Sequence, residues 1–129
     1  MSTLNVENIV ATTISDGTST IGITSTSLRG ASAWCRFDST GSGLILQAYN
    51  VTSLTDINTG RWRVTFTTPM VDNEYVALSN ASSDTNTSTD TWINAYNLDA
   101  TGCKFGIYNS SSTHVDRGIV SVAFFGSMS

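Results

Sequence analysis

At 129 residues and a formal net charge of −4, the chain has the length of one domain and can bury one real core. Charged residues make up only 12% of it, and the basic stripe that would neutralise nucleic-acid phosphates is missing, so no nucleic-acid partner is expected. No apolar run reaches the length of a membrane span and no basic amphipathic helix occurs, so no membrane insertion is expected either.

The polar part of the composition sets the fold class. Threonine, serine and asparagine number 20, 19 and 10; threonine favours strands, and serine and asparagine favour turns. Strong helix formers are scarce, with one lysine, one glutamine and only Glu7 and Glu74 as glutamates. The expectation is an all-β fold.

Residues 1–30 differ from the remainder of the chain. Short apolar beats at Leu4, Val6, Ile9, Ile14, Ile21 and Ile23 stand in a threonine-rich background, with Ser15-Asp16-Gly17 as a turn signal. The first aromatic residue is Trp34, so this segment has little with which to form its own core. It reads as an extended β segment that needs an outside surface, either the domain behind it or other copies of the chain. Met1-Ser2-Thr3-Leu4-Asn5 has neither the basic nor the apolar region of a secretory signal.

From residue 31 to 129 the strand signals are regular. Ala33–Asp38 alternates, Ser39-Thr40-Gly41-Ser42-Gly43 is a loop, and Leu44–Tyr49 is a strand with Leu44, Leu46 and Ala48 on one face. Val51–Ile57 is a weak strand or turn. In Arg61–Thr68, Trp62, Val64 and Phe66 alternate with Arg63, Thr65 and Thr67, the period of a half-buried strand. Pro69–Asn73 connects to a strand over Glu74–Ser79, and Asn80–Asp90 reads as an exposed loop. Thr91–Asn97 and Cys103–Tyr108 form a hairpin, Asn109–Thr113 is a second polar loop, and Gly118–Gly126 reads as a central strand covered on both faces. Seven to eight short strands joined by polar turns predict an antiparallel β-sandwich. Cys35 and Cys103 each fall on the apolar side of a strand, as buried free thiols or, alternatively, as a bridged pair.

Several segments of this domain together resemble a module of tailed-bacteriophage virion proteins, found in tail fibres and in short stand-alone structural proteins, many of marine phages. The segments are Ala31-Ser32-Ala33-Trp34, Phe37-Asp38-Ser39-Thr40-Gly41 and Tyr49-Asn50-Val51-Thr52-Ser53-Leu54-Thr55-Asp56. They continue with Thr59-Gly60, Trp62-Arg63-Val64-Thr65-Phe66, Thr68-Pro69-Met70, Asp72-Asn73-Glu74-Tyr75 and Val120-Ser121-Val122-Ala123-Phe124-Phe125-Gly126. Cys35-Arg36 stands where Val-Asn is more usual. The resemblance implies a structural role on a virion surface, assembly in the host cytoplasm as a homotrimer, and partners among the capsid or tail proteins. It implies no catalytic residues and no cofactor. Leu4-Asn5-Val6-Glu7-Asn8-Ile9 is similar to the N-terminal segments by which such proteins join a trimer or a particle. A tail fibre tip contacting its receptor and a capsid decoration protein stabilising the head both fit.

The chemistry-bearing residues point the same way. His114, the only histidine, has no cluster of further ligands around it in sequence, so a solvated loop histidine is expected and no metal. Asp72 and Glu74 have the composition of a glycosidase carboxylate pair, but in a turn after Pro69 they are expected to be solvated. Asp84, Asp90, Trp92, Asn94 and Tyr96 offer an aromatic platform, planar polar groups and carboxylates, the ingredients of a host-surface glycan site. Against it stands the simpler expectation that Trp92 and Tyr96 form one buried or intersubunit strand face.

Overall fold

The computed structural model describes residues 13–15, 20–22, 30–83 and 90–129. Two short strands, β1 (Thr13–Ser15) and β2 (Thr20–Gly22), pair antiparallel with Ile14 opposite Ile21. Leu4, Val6, Ile9 and Ile23 lie outside the described residues.

Eight further strands make an antiparallel sandwich of two four-stranded sheets. They are β3 (Ala33–Asp38), β4 (Leu44–Tyr49), β5 (Val51–Asn58), β6 (Arg61–Phe66), β7 (Val76–Ser82), β8 (Thr91–Asp99), β9 (Gly102–Asn109) and β10 (Ile119–Phe125). The first sheet runs β4-β3-β10-β7 and the second β5-β6-β9-β8. The hairpin β3–β4 lies in the first sheet and β5–β6 in the second; β7 then returns to the first, β8–β9 to the second, and β10 closes the first.

The inward faces follow the period-two pattern. Trp62, Val64 and Phe66 of β6 are buried, as are Cys103, Phe105 and Ile107 of β9. Opposite them lie Ala33, Cys35 and Phe37 of β3 and Val120, Val122 and Phe124 of β10. Phe66 and Phe124 meet edge-on with centroids 4.9 Å apart, and Tyr75 stands edge-on to both at 5.6 and 5.9 Å. The Tyr75 hydroxyl is directed at the carbonyls of Gly102 (2.7 Å) and Asp99 (3.0 Å), so a core aromatic also ties the approach to β7 to the β8–β9 turn. Burial raises its phenol pKa further above the usual value.

The polar loops are ordered by local side-chain bonds. Asp38 accepts from the Thr40 amide and hydroxyl. Fully buried Ser39 donates to the Arg117 carbonyl at 2.9 Å and accepts from the Arg117 amide at 2.7 Å, fastening the approach to β10. Asn50 turns the chain from one sheet to the other with φ of 53°. Its Oδ1 accepts from the Thr68 amide at 2.7 Å, and its Nδ2 is 3.1 Å from the carbonyls of both Ser32 and Thr68. At the β5–β6 turn Gly60 has φ of 65°, and a Cβ there would sit 2.6–2.9 Å from the backbone of Ile107 and Val115, so only glycine fits.

Four expectations are corrected. A register shift between Arg36 and Phe37 splits the face assigned to Leu44, Leu46 and Ala48. Beyond that bulge Ile45 opposes Phe37 and packs against the core, while Leu44 and Leu46 are exposed. Val51–Asn58 is a full strand, because it pairs along β6. Asn80–Ser82 belong to β7 rather than a loop, since Ser79–Ser82 pair with Ile119–Val122. Finally, β10 is central but covered on one face only: Ser121, Ala123 and Phe125 remain partly exposed on the other.

The outer face of the first sheet carries one apolar row beside a polar one formed by Gln47, Arg36, Ser121 and Asn80. The cross-strand register places Tyr49, Trp34, Ala123 and Leu78 in one row, with Phe125 opposite Val76 beside it. Leu78 and Val76 are each 56% exposed and Tyr49 is 50% exposed.

Candidate binding face

The outer face of the second sheet has a different character. Period-two alternation turns Trp92, Asn94 and Tyr96 of β8 outward because Ile93 and Ala95 face the core. The register sets Trp92 against Tyr108, Asn94 against Gly106 and Arg61, and Tyr96 against Lys104 and Arg63. Trp92 is 64% exposed on the single chain, so of the buried or intersubunit strand face expected for it, burial within the domain is not what forms. A tryptophan held outward on a regular strand is a rigid platform with a free π-face.

Gly106 shapes the centre of this face. A Cβ there would lie 2.9 Å from Asn94 Oδ1 and from Tyr108 Cε2 and its hydroxyl oxygen. The Tyr108 ring therefore lies back over the glycine and beside Asn94, a position any larger residue would fill. Its ring also contacts His114, with centroids 4.2 Å apart. His114 in turn accepts a hydrogen bond at Nε2 from Arg61 Nε at 3.1 Å. The histidine is thus half-buried and packed, not the solvated loop residue its sequence context implied. Among the described residues no group of three metal-ligating side chains occurs.

Two adjoining grooves result. One of about 470 Å³ is lined by Trp92, Ile93, Asn94, Tyr108 and Ser112. The other, of about 390 Å³, is lined by Arg61, Asn94, Tyr96 and Tyr108. Ser112 is held by a self-capped loop, in which Asn109 Oδ1 accepts from the amides of Ser111 (2.9 Å) and Thr113 (3.0 Å). Next along the sheet, Arg63 pairs with Asp99 at 2.9 Å. Burial pushes the Asp99 carboxyl up, but bonds from the Thr101 hydroxyl and amide and from Arg63 outweigh it and lower the pKa from 3.8.

The structure therefore brings together Trp92, Asn94 and Tyr96 of the expected glycan set. Asp90 is exposed just before β8, and Asp84 lies outside the described residues. Sequence reading missed Arg61, Tyr108 and His114, which come from three separate segments. Only the strand pairing unites them, although a glycine between Phe105 and Tyr108 hinted at a close approach.

The other candidates are structural. Asp72 Oδ1 caps the Glu74 amide at 2.8 Å in a turn, and both residues are exposed. Cys35 and Cys103 are free and buried, on different sheets. Burial pushes both thiols up to about 12, which leaves them poor nucleophiles at neutral pH. Asp116 accepts from the Gly60 amide and from Trp62 Nε1, satisfying the one polar atom of the largest core side chain.

Comparisons of the chain with protein-family models, with curated proteins and with solved structures give no match.

Proposed function

We propose that this protein is a non-enzymatic structural protein of a tailed-phage virion surface, a short homotrimeric fibre or appendage on the tail or capsid. What carries the reading is the way the residues of the phage-like pattern serve the architecture. Asn50 and Thr68 clamp the crossing between sheets, Asp38, Ser39 and Thr40 fix a loop, and Tyr75 ties the approach to β7 to a hairpin. A pattern spent on scaffold suits a protein whose task is to be a stable, projecting body.

The outer surface of the first sheet supplies the second support. The apolar row Tyr49, Trp34, Ala123 and Leu78 spans all four strands of the first sheet. An exposed row of this kind marks an interaction surface, and here the partner is a second copy of the chain. The chain enters β3 at Ala33, next to Trp34 of that row. A two-stranded hairpin such as β1–β2 is marginal alone and gains from such a surface. Leu4, Val6, Ile9, Ile14, Ile21 and Ile23 are the residues we assign to trimerisation or attachment.

Antibody labelling of phage particles, read by electron microscopy, tests the assignment. Label at regular positions on the head or tail surface is expected. Particles that carry no label, with the protein found only in the lysate, overturn it.

A further inference from the structure

The face built by β8, β9 and β6 has features that a scaffold does not need. Trp92 presents a free aromatic surface at one end of the joined grooves. Asn94 and Tyr108 stand between the two grooves and line both. Arg61 stands at the other end. Its Nε is engaged by His114, whose own ring rests on Tyr108, so the guanidinium is oriented from behind. Among the described residues its two terminal nitrogens have no protein acceptor. That fork is the geometry that receives a carboxylate through two parallel hydrogen bonds.

The negative charge of the chain is offset on this face. Against a net charge of −4, this face carries Arg61, Lys104 and Arg63. Of its acids, Asp99 is neutralised by Arg63 and Asp116 is directed at Gly60 and Trp62. Asp90 is exposed at the Trp92 end. Both grooves fall within the roughly 300–1,000 Å³ typical of small-ligand sites.

We propose that this face binds an acidic oligosaccharide. One sugar ring stacks on Trp92, Asn94 and the Tyr108 hydroxyl bond to ring hydroxyls, and Arg61 takes the carboxylate of the adjoining uronic acid. The aromatic face matches the apolar C–H surface of a pyranose, and planar amide and phenol groups match its hydroxyls. The site does not depend on where the protein sits in a particle, so a virion protein that binds no sugar would fail this inference alone.

Isothermal titration of the full chain with trigalacturonate, with maltotriose as the neutral counterpart, tests it. Saturable binding of trigalacturonate is expected. Trp92→Ala should weaken it by roughly tenfold or more, and Arg61→Gln should weaken it by about tenfold while leaving any maltotriose binding unchanged. Both side chains are exposed, so unchanged circular dichroism and melting temperature should accompany the loss. No saturable binding up to about 10 mM, a level that would leave less than about 3 kcal/mol of affinity, overturns the proposal. Binding indifferent to Trp92→Ala also overturns it, and equal loss of both sugars in Arg61→Gln overturns the acidic class. A change of oligomeric mass in Trp92→Ala would make the face a subunit contact instead.

Discussion

Asn50 combines a left-handed backbone with three side-chain hydrogen bonds to backbone groups at the point where the chain passes from the first sheet to the second. The short amide side chain is tolerated in that conformation and satisfies backbone groups that the crossing leaves unpaired. Asn50→Ala should therefore destabilise the fold by about 2–3 kcal/mol, adding lost hydrogen bonds to backbone strain. Asn50→Gly, which removes the strain, should recover part of that loss. Urea denaturation of the three proteins checks this; equal stability of the alanine variant and wild type would contradict it. Within the phage-like pattern Asn50 is one letter among many. Its role needs a partner 18 residues away, which no local period reveals.

Among the elements, β6 and β9 are legible in the sequence because their alternation is undisturbed: Trp62, Val64 and Phe66 face inward as the period requires. The period misleads in β4 because one bulge flips every later side chain to the other face, and a bulge leaves little trace in residue types. The apolar run of β10 overstates its coverage, since a central strand and a doubly covered strand share the same composition. Trp92, Asn94 and Tyr96 are legible as a group, whereas Arg61, Tyr108 and His114 join them only through β-pairing. The β8–β9 hairpin also carries a pH dependence. The folded Asp99 pKa lies below 3.8, so this residue's contribution to stability is present above that value and is lost as pH falls through the folded pKa. The stability gap between wild type and Asp99→Asn should shrink as pH is lowered from about 5 to about 2, measured by urea titration at each pH. A gap constant across that range would contradict the role of the Asp99 carboxylate in its bonds to Thr101 and Arg63.

For the whole molecule, two sheets meet in one aromatic core and turn two unlike faces outward. One face carries an apolar row, which we propose meets other copies of the chain; the other is aromatic and polar with the Arg61 guanidinium at one end, and we propose that it meets a saccharide. Both proposals draw on the large apolar side chains that the fold leaves exposed, from Trp34 and Tyr49 to Leu78 and Trp92. Light scattering coupled to gel filtration tests the central claim most directly, because fibre, appendage and covered apolar face all require self-association. The expected result is a species of about three times 13.7 kDa, shifted toward monomer by Leu78→Lys without loss of folding. A clean monomer of the wild-type chain would contradict it.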